Sequence, residues 1–395
     1  MDLSPLLAAV ERGDDTTVFE ALEAATADEF TEDDGVRLLA AAAYAGRGDL
    51  AWDLVVRWDA DPARPWAGGV DPVTWAAEHG AYWVLQALLS RERDPLRADS
   101  GHRHALRVAL AALESGAGAG SVPPPAHRAV VTDLEAKLGI DRTPDELMAR
   151  ALVHADPRHD DWLASLCRIA RPESQERFDW ARAIAEEAEN AGDLARRRFA
   201  LDAVNFLGFG LNPDHDEVPL FSGEAARFLR PRLDTEQDPY ALRTVIAAFG
   251  GYCSREELQA VLAHAGHPDP GVRRCVAQAF PSLLAGHPEA LAALLRLVDD
   301  PDPATRASAL HSLTYPFGTR VLLDTPALRT ALAAHLTDPH FDARLEAAAA
   351  LDLRGDGRGT AVVEEIRRGV KNRGSRGAVR LEIHHDMLRA LTPRT

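Results

Sequence analysis

Four stretches of the chain carry side chains that could do chemistry. Asp214, His215, Asp216 and Glu217 sit in an irregular stretch, 208–223, and offer hard oxygen donors of the kind that hold a cation. Their spacing follows no calcium-loop pattern and no second His or Glu cluster complements them, so the stretch reads as a solvated acidic loop. His384, His385 and Asp386 could ligate a metal, but adjacent residues of a helix point about 100° apart, leaving at most one His toward any shared site. Asp300, Arg306, Asp338 and Arg344 could make an acid–base set. Their recurrence at one spacing makes them part of a repeat. Arg367, Arg368, Lys371, Arg373, Arg376 and Arg380 form the one basic stretch of an acidic chain and read as a solvated loop before a last helix, 379–391.

Neither a Gly-rich phosphate loop, a nucleophile elbow nor a metal-spaced Cys/His set is present in the sequence. Cys167, Cys253 and Cys275 are odd in number, share no ligand spacing and lie in apolar helical surroundings, so they read as buried reduced thiols. The expectation is no catalytic set, no metal and no cofactor. A formal net charge of −17 over 395 residues opposes nucleic acid and anionic lipid as partners and suits a basic protein partner. Almost every cation is arginine, with Lys137 and Lys371 the two lysines, a codon bias of GC-rich bacterial genomes that lowers the weight of any one arginine. The start Met1-Asp2-Leu3-Ser4 is not that of a signal peptide, and no run reaches the ~18 apolar residues of a membrane span, so a cytoplasmic protein is expected.

The elements that would carry any site repeat themselves in two patterns. Ser4–Gly13 recurs loosely as Arg37–Gly46 and again as Asp71–Gly80, with the closing glycines 33 and 34 residues apart. Near the other end, His267-Pro268-Asp269-Pro270-Gly271-Val272-Arg273 recurs 33 residues on as Asp300–Arg306, and 38 further on as Asp338–Arg344. Fixed periods of this length mean stacked helical pairs. Apolar spacing is three and four throughout, so an all-α, two-part helical-repeat solenoid is expected without strands beyond short hairpin tips. Gly116–Pro125 cannot continue a helix, which places a boundary between 1–115 and 126–395.

The first pattern resembles ankyrin repeats, best in Asp71-Pro72-Val73-Thr74-Trp75-Ala76-Ala77-Glu78-His79-Gly80 followed by Val84–Leu89 and Asp94-Pro95. The middle copy departs from it, with Leu38 in place of the proline and Gly46-Arg47-Gly48 at the turn. From about Asp193 the chain resembles HEAT repeats of the bacterial lyase-like kind. Asp300, Thr305 and Arg306, and Asp338, Ala343 and Arg344, hold that family's Asp–Val–Arg spacing. His267 replaces the first aspartate, while Asp238 with Arg243 and Asp193 with Arg197 look like weaker copies. The HEAT resemblance implies that these pairs bond along the stack. It also includes iron hydroxylases built on His-Glu dipeptides, none of which occurs here.

The ankyrin resemblance implies that the two residues before each turn glycine are exposed on a concave face: Glu11 and Arg12, Tyr44 and Ala45, Glu78 and His79. Trp52, Trp58, Trp66, Trp75 and Trp83 put five of the seven tryptophans in this part of the chain, a concentration suited to interface anchors. In the HEAT part, Arg274, Gln278 and His311 are the expected exposed contacts. The function implied is a non-enzymatic scaffold or adaptor that binds a protein partner bearing a basic patch through Glu11, Arg12, Tyr44, Trp75, Glu78, His79, Arg274, Gln278 and His311. An inhibitor of one basic enzyme, such as a toxin-neutralising protein, is the alternative. A lyase-like or DNA-glycosylase-like HEAT enzyme ranks below both.

Overall fold

A computed structural model describes residues 2–24, 30–91, 95–116, 124–171, 174–208, 221–252, 258–279, 288–314 and 322–369. The acidic stretch 214–217, Cys253, His384–Asp386, most of the basic stretch and most of the Gly116–Pro125 segment lie outside those residues. Every regular element is helical, and no strand occurs among the described residues beyond one isolated bridge, Trp66 with Val70.

The chain divides into two compact units, Met1–Pro172 and Glu173–Thr395. In the first, paired helices follow one another as α1 (Ser4–Arg12), α2 (Asp15–Ala24), α3 (Glu32–Tyr44), α4 (Gly48–Val56), α5 (Pro72–His79) and α6 (Tyr82–Leu89). Then come α7 (Pro95–Ser115), α8 (His127–Lys137), α9 (Pro144–Leu152) and α10 (Asp160–Ile169). α1 packs on α3 and α4 on α6, so like members of successive pairs touch. Ala42, Ala43, Ala76 and Ala77 are at most 1% exposed and let the backbones approach closely. Thr31 starts α3 by a reciprocal capping box with Asp34, and Asp71 starts α5 by accepting from Thr74 N–H at 2.8 Å, with Pro72 in the first turn.

One core runs from Leu3 to Leu134, with Ala164 joined to it. It takes in Ala126, Ala129, Val130 and Val131 from the far side of the Gly/Pro stretch, and α8 packs on α5, α6 and α7. The contact division therefore falls near 172 and not at 116–125.

In the second unit α11 (Gln175–Ala191), α12 (Leu194–Gly208), α13 (Ser222–Thr235), α14 (Pro239–Tyr252), α15 (Leu258–Leu262) and α16 (Pro270–Gln278) lead to α17 (Pro288–Leu297), α18 (Pro303–Thr314), α19 (Pro326–Ala334), α20 (Phe341–Asp352) and α21 (Gly357–Gly369). Even-numbered helices stack in order, α12 on α14, α16, α18 and α20, with the odd-numbered ones alongside. Four of the stacked helices are capped alike: Asp193, Asp238, Asp269 and Asp302 each accept from an N–H three residues on. α20 is buried on all sides, Ala347–Leu351 being at most 1% exposed between α18, α19 and α21.

Arginine four residues after each cap position sets the register. Arg273 grips Asp300 with two bonds of 2.7 Å, and Arg306 grips Asp338 with two of 2.9 Å. The same two arginines donate to carbonyls six residues upstream, His267 O and Asp300 O, as Arg344 does to Asp338 O at 2.6 Å. Burial alone would raise the Asp338 carboxyl, but Arg306, the His340 N–H and His335 outweigh it and hold it down to about 2. At the α12–α14 step, Arg197 reaches Glu236 at 3.1 Å and Arg198 adds Asp238.

Between α14 and α16 the rung has no ends. Leu242 stands at the arginine position, buried, and His267 at the carboxylate position, where its Nδ1 accepts from Asp269 N–H at 3.1 Å just as Asp300 and Asp338 accept from Asp302 and His340. Arg243, the residue expected to pair at this copy, is one position off and lies alongside Gly271. Losing both partners together leaves no orphan buried charge, which would cost more than the pair contributes.

Arg306→Ala is expected to cost about 1–3 kcal/mol in denaturant melts, from acceptors left unpaired beside a buried carboxylate. A second expectation concerns the vacant rung. Leu242→Arg and His267→Asp, each destabilising alone, should couple favourably in a double-mutant cycle by roughly 0.5–3 kcal/mol.

Candidate functional site

The exposed aromatic group of the first unit is assembled from two helix ends and one turn. Tyr44 ends α3 and is 56% exposed. Its ring meets Trp66 edge-on at 5.4 Å and Trp75 at 5.2 Å. Trp66 and Trp75 lie 5.4 Å apart, and His79, one turn beyond Trp75 on α5, stacks on it at 4.4 Å while its Nδ1 lies 2.9 Å from Trp75 O. Trp66 is held under the group by the tight turn Ala67–Gly69, closed by Trp66 N–H to Val70 O at 2.8 Å. It is buried, and its indole N–H has no hydrogen-bond partner.

Glu78 and His79 are exposed and border a groove of about 670 Å³ whose other walls are Gly46, Gly48, Tyr82–Val84, Pro124–His127 and Asp160. Two glycines make this groove possible. Gly80 closes α5 at φ +61°, and a Cβ there would sit 2.9 Å from Pro125 and 3.0 Å from the Ala126 nitrogen, which donates to Gly80 O. At Gly48 a Cβ would fall 2.3 Å from that of Trp83. The Gly46-Arg47-Gly48 turn that departs from the repeat pattern is thus a seat for Trp83, and its Arg47 pairs with Asp15. Trp83, half-exposed, donates from Nε1 to Asp160 at 3.1 Å, and His127 Nε2 lies 2.9 Å from Glu78 O.

Below the groove a carboxyl is out of its ordinary range. Burial pushes Asp133 up to about 7 against the pull of Lys137, Arg168 and Arg171, and Gln86 donates to it. Tyr82 is also raised, by burial first and then by Asp133. Cys167 and Cys275 are half-buried and free, and burial raises both thiols, so they stay protonated.

The structure brings Tyr44, Trp75 and His79 into one contact chain with Glu78 beside it. Glu11 and Arg12 are exposed at the end of α1. Trp52 is exposed on α4, and Trp58 stacks on Phe19 at 5.2 Å. In the second unit two of the expected contacts are partly covered. Arg274 is half-buried, and His311 is half-buried with Nδ1 3.0 Å from the buried Glu346 on α20. His311 faces the next stacked helix, whose Glu346 covers part of what a single helix would expose. Gln278 is exposed and donates to Ser308.

Sequence reasoning missed the far wall of the groove, since Pro124 and Pro125 end the stretch read as a linker and Ala126, His127 and Asp160 follow it. It also missed a polar groove of about 760 Å³ in the second unit, lined by Gln175, Asp179, Arg182, Glu224, Arg227 and Arg232.

The fold defines a helical-repeat protein with exposed inter-repeat grooves. Residues 226–314, which lie within the second unit, match the family model described as HEAT repeats. An X-ray structure of Escherichia coli YibA is 18% identical, aligns 57% of this chain with 75% of its own, and has a TM-score of 0.43. None of the curated proteins matches the chain in sequence.

The folded value of Asp133, about 7, lies above the ordinary 3.8, so the fold holds a proton that the unfolded chain releases. Its contribution is fully present below about pH 4, falls as pH rises toward 7 and is constant beyond. Asp133→Asn should flatten the melting temperature across that window and be more stable than the parent at about pH 8 by on the order of 1–3 kcal/mol.

Proposed function

We propose that this chain is a non-enzymatic scaffold that captures a protein partner with a basic patch, using the exposed end of an ankyrin-like stack in its first unit. The observation that carries this reading is Tyr44, exposed and braced edge-on by Trp66 and Trp75, with Glu78 at the adjoining groove. A large ring already fixed by its neighbours loses little side-chain freedom on docking, which is what an interface anchor needs. HEAT repeats generally serve protein binding, and the match at 226–314 supports the same class of role for the second unit. The net charge of −17 selects a basic partner and makes association depend on salt.

The test is affinity capture with the full chain followed by mass spectrometry, then binding measurements with the recovered partner. Tyr44→Ala combined with Glu78→Arg should leave the melt unchanged and weaken binding by about 2 kcal/mol or more. Association by the parent should slow as salt rises. A folded double variant that binds like the parent moves the interface elsewhere, with Gln278 on α16 the next candidate.

A further inference from the structure

Near the start of α10 the first unit carries a cluster that its repeat architecture does not require. Asp161 is 1% exposed. Its Oδ1 accepts from Ala129 N–H at 2.7 Å, while its Oδ2, also buried, has no hydrogen-bond partner. Two imidazoles face that oxygen, with His154 Nε2 and His159 Nδ1 each 3.6 Å away. All three donor atoms lie within 4.8 Å of one another. A buried carboxylate oxygen without a donor is costly, and a cation is one way to satisfy it.

We propose that His154, His159 and Asp161 bind a divalent transition metal of the zinc class. Zinc takes nitrogen at about 2.0–2.1 Å in a tetrahedron, so its ligand atoms stand roughly 3.3–3.5 Å apart, close to the 3.6 Å from each imidazole nitrogen to Asp161 Oδ2. Two imidazoles and one carboxylate are the donor set that suits this ion and leave one position open.

The surroundings supply the supports that such ligands need. His159 Nε2 lies 3.3 Å from Pro124 O, which puts the ring proton on that nitrogen and leaves a lone pair on Nδ1. Ala129 fixes the carboxylate. His154 follows α9 directly, is a quarter exposed and so offers the ion an entry path. Ala155, between the two histidines, holds φ +50°, a strained value for a residue with a side chain.

Binding asks for two adjustments. The rings stack with centroids 4.0 Å apart and must turn to aim both lone pairs at one ion. The ion also takes over the His159 Nδ1 lone pair that now accepts from Asp161 N–H at 3.1 Å. Both adjustments lower affinity without removing any donor.

The full chain, stripped with a chelator and dialysed, is titrated with Co²⁺ in the visible and with Zn²⁺ by calorimetry. The expected result is one ion per chain, a tetrahedral cobalt spectrum displaced by Zn²⁺, and a higher melting temperature with either ion. His154→Gln changes a partly exposed side chain and should fold, yet bind Zn²⁺ about tenfold more weakly or worse. His79→Gln, at an exposed histidine outside the cluster, should bind like the parent. A parent that gives no cobalt spectrum and no zinc heat overturns the proposal. So does a folded His154→Gln protein that binds as the parent does.

Discussion

A single helical pair cannot bury its own apolar faces, so everything in this protein depends on each pair being seated at the right height on the next. In the second unit that seating is done by charge. One guanidinium clamps a carboxylate of the following repeat and, with its remaining nitrogen, the carbonyls at the start of its own helix. The bond therefore fixes a distance along the stack and a helix start at once. The burial of Val272, Val276, Leu310 and Leu345 supplies adhesion but tolerates sliding, while a two-bond fork does not.

The first unit solves the same problem with small residues and rings. Buried alanines bring its helices close, and an aromatic group covers one edge where little core is available. Using Trp66 as a floor leaves an indole N–H without a partner, and using Gly48 and Gly80 as seats commits those positions to glycine. The surface gained is a stiff one: Tyr44 and His79 are both held by ring contacts before any partner arrives.

The helical repeats were legible because periodic spacing is written residue by residue: Asp-Pro caps, the arginine four positions on, paired alanines. That Arg306 and Asp338 bond along the stack is what the HEAT resemblance implies, and the two form such a pair. What was not legible came from contacts between segments distant in sequence. Nothing about Ala126–Val131 announces that it rejoins the first core, and nothing at His311 announces Glu346 across the stack. The reading of Arg243 as a rung failed by one residue, since a helix turns about 100° per residue and a near match in sequence faces the wrong way. His154, His159 and Asp161 share no recognised ligand motif, because the structural context that joins them includes Ala129 and Pro124, some 30 residues upstream.

The interval between α14 and α16 differs in kind from its neighbours, being held by packing without the fork. An array of nearest-neighbour contacts answers mechanical load at its least rigid junction. A tension applied along the second unit would accordingly part it there, releasing two blocks that each keep their internal forks, α12 with α14 and α16 with α18 and α20. The extension curve of such a chain would carry a step set by the position of Leu242 and His267, well inside the sequence that the HEAT family model matches.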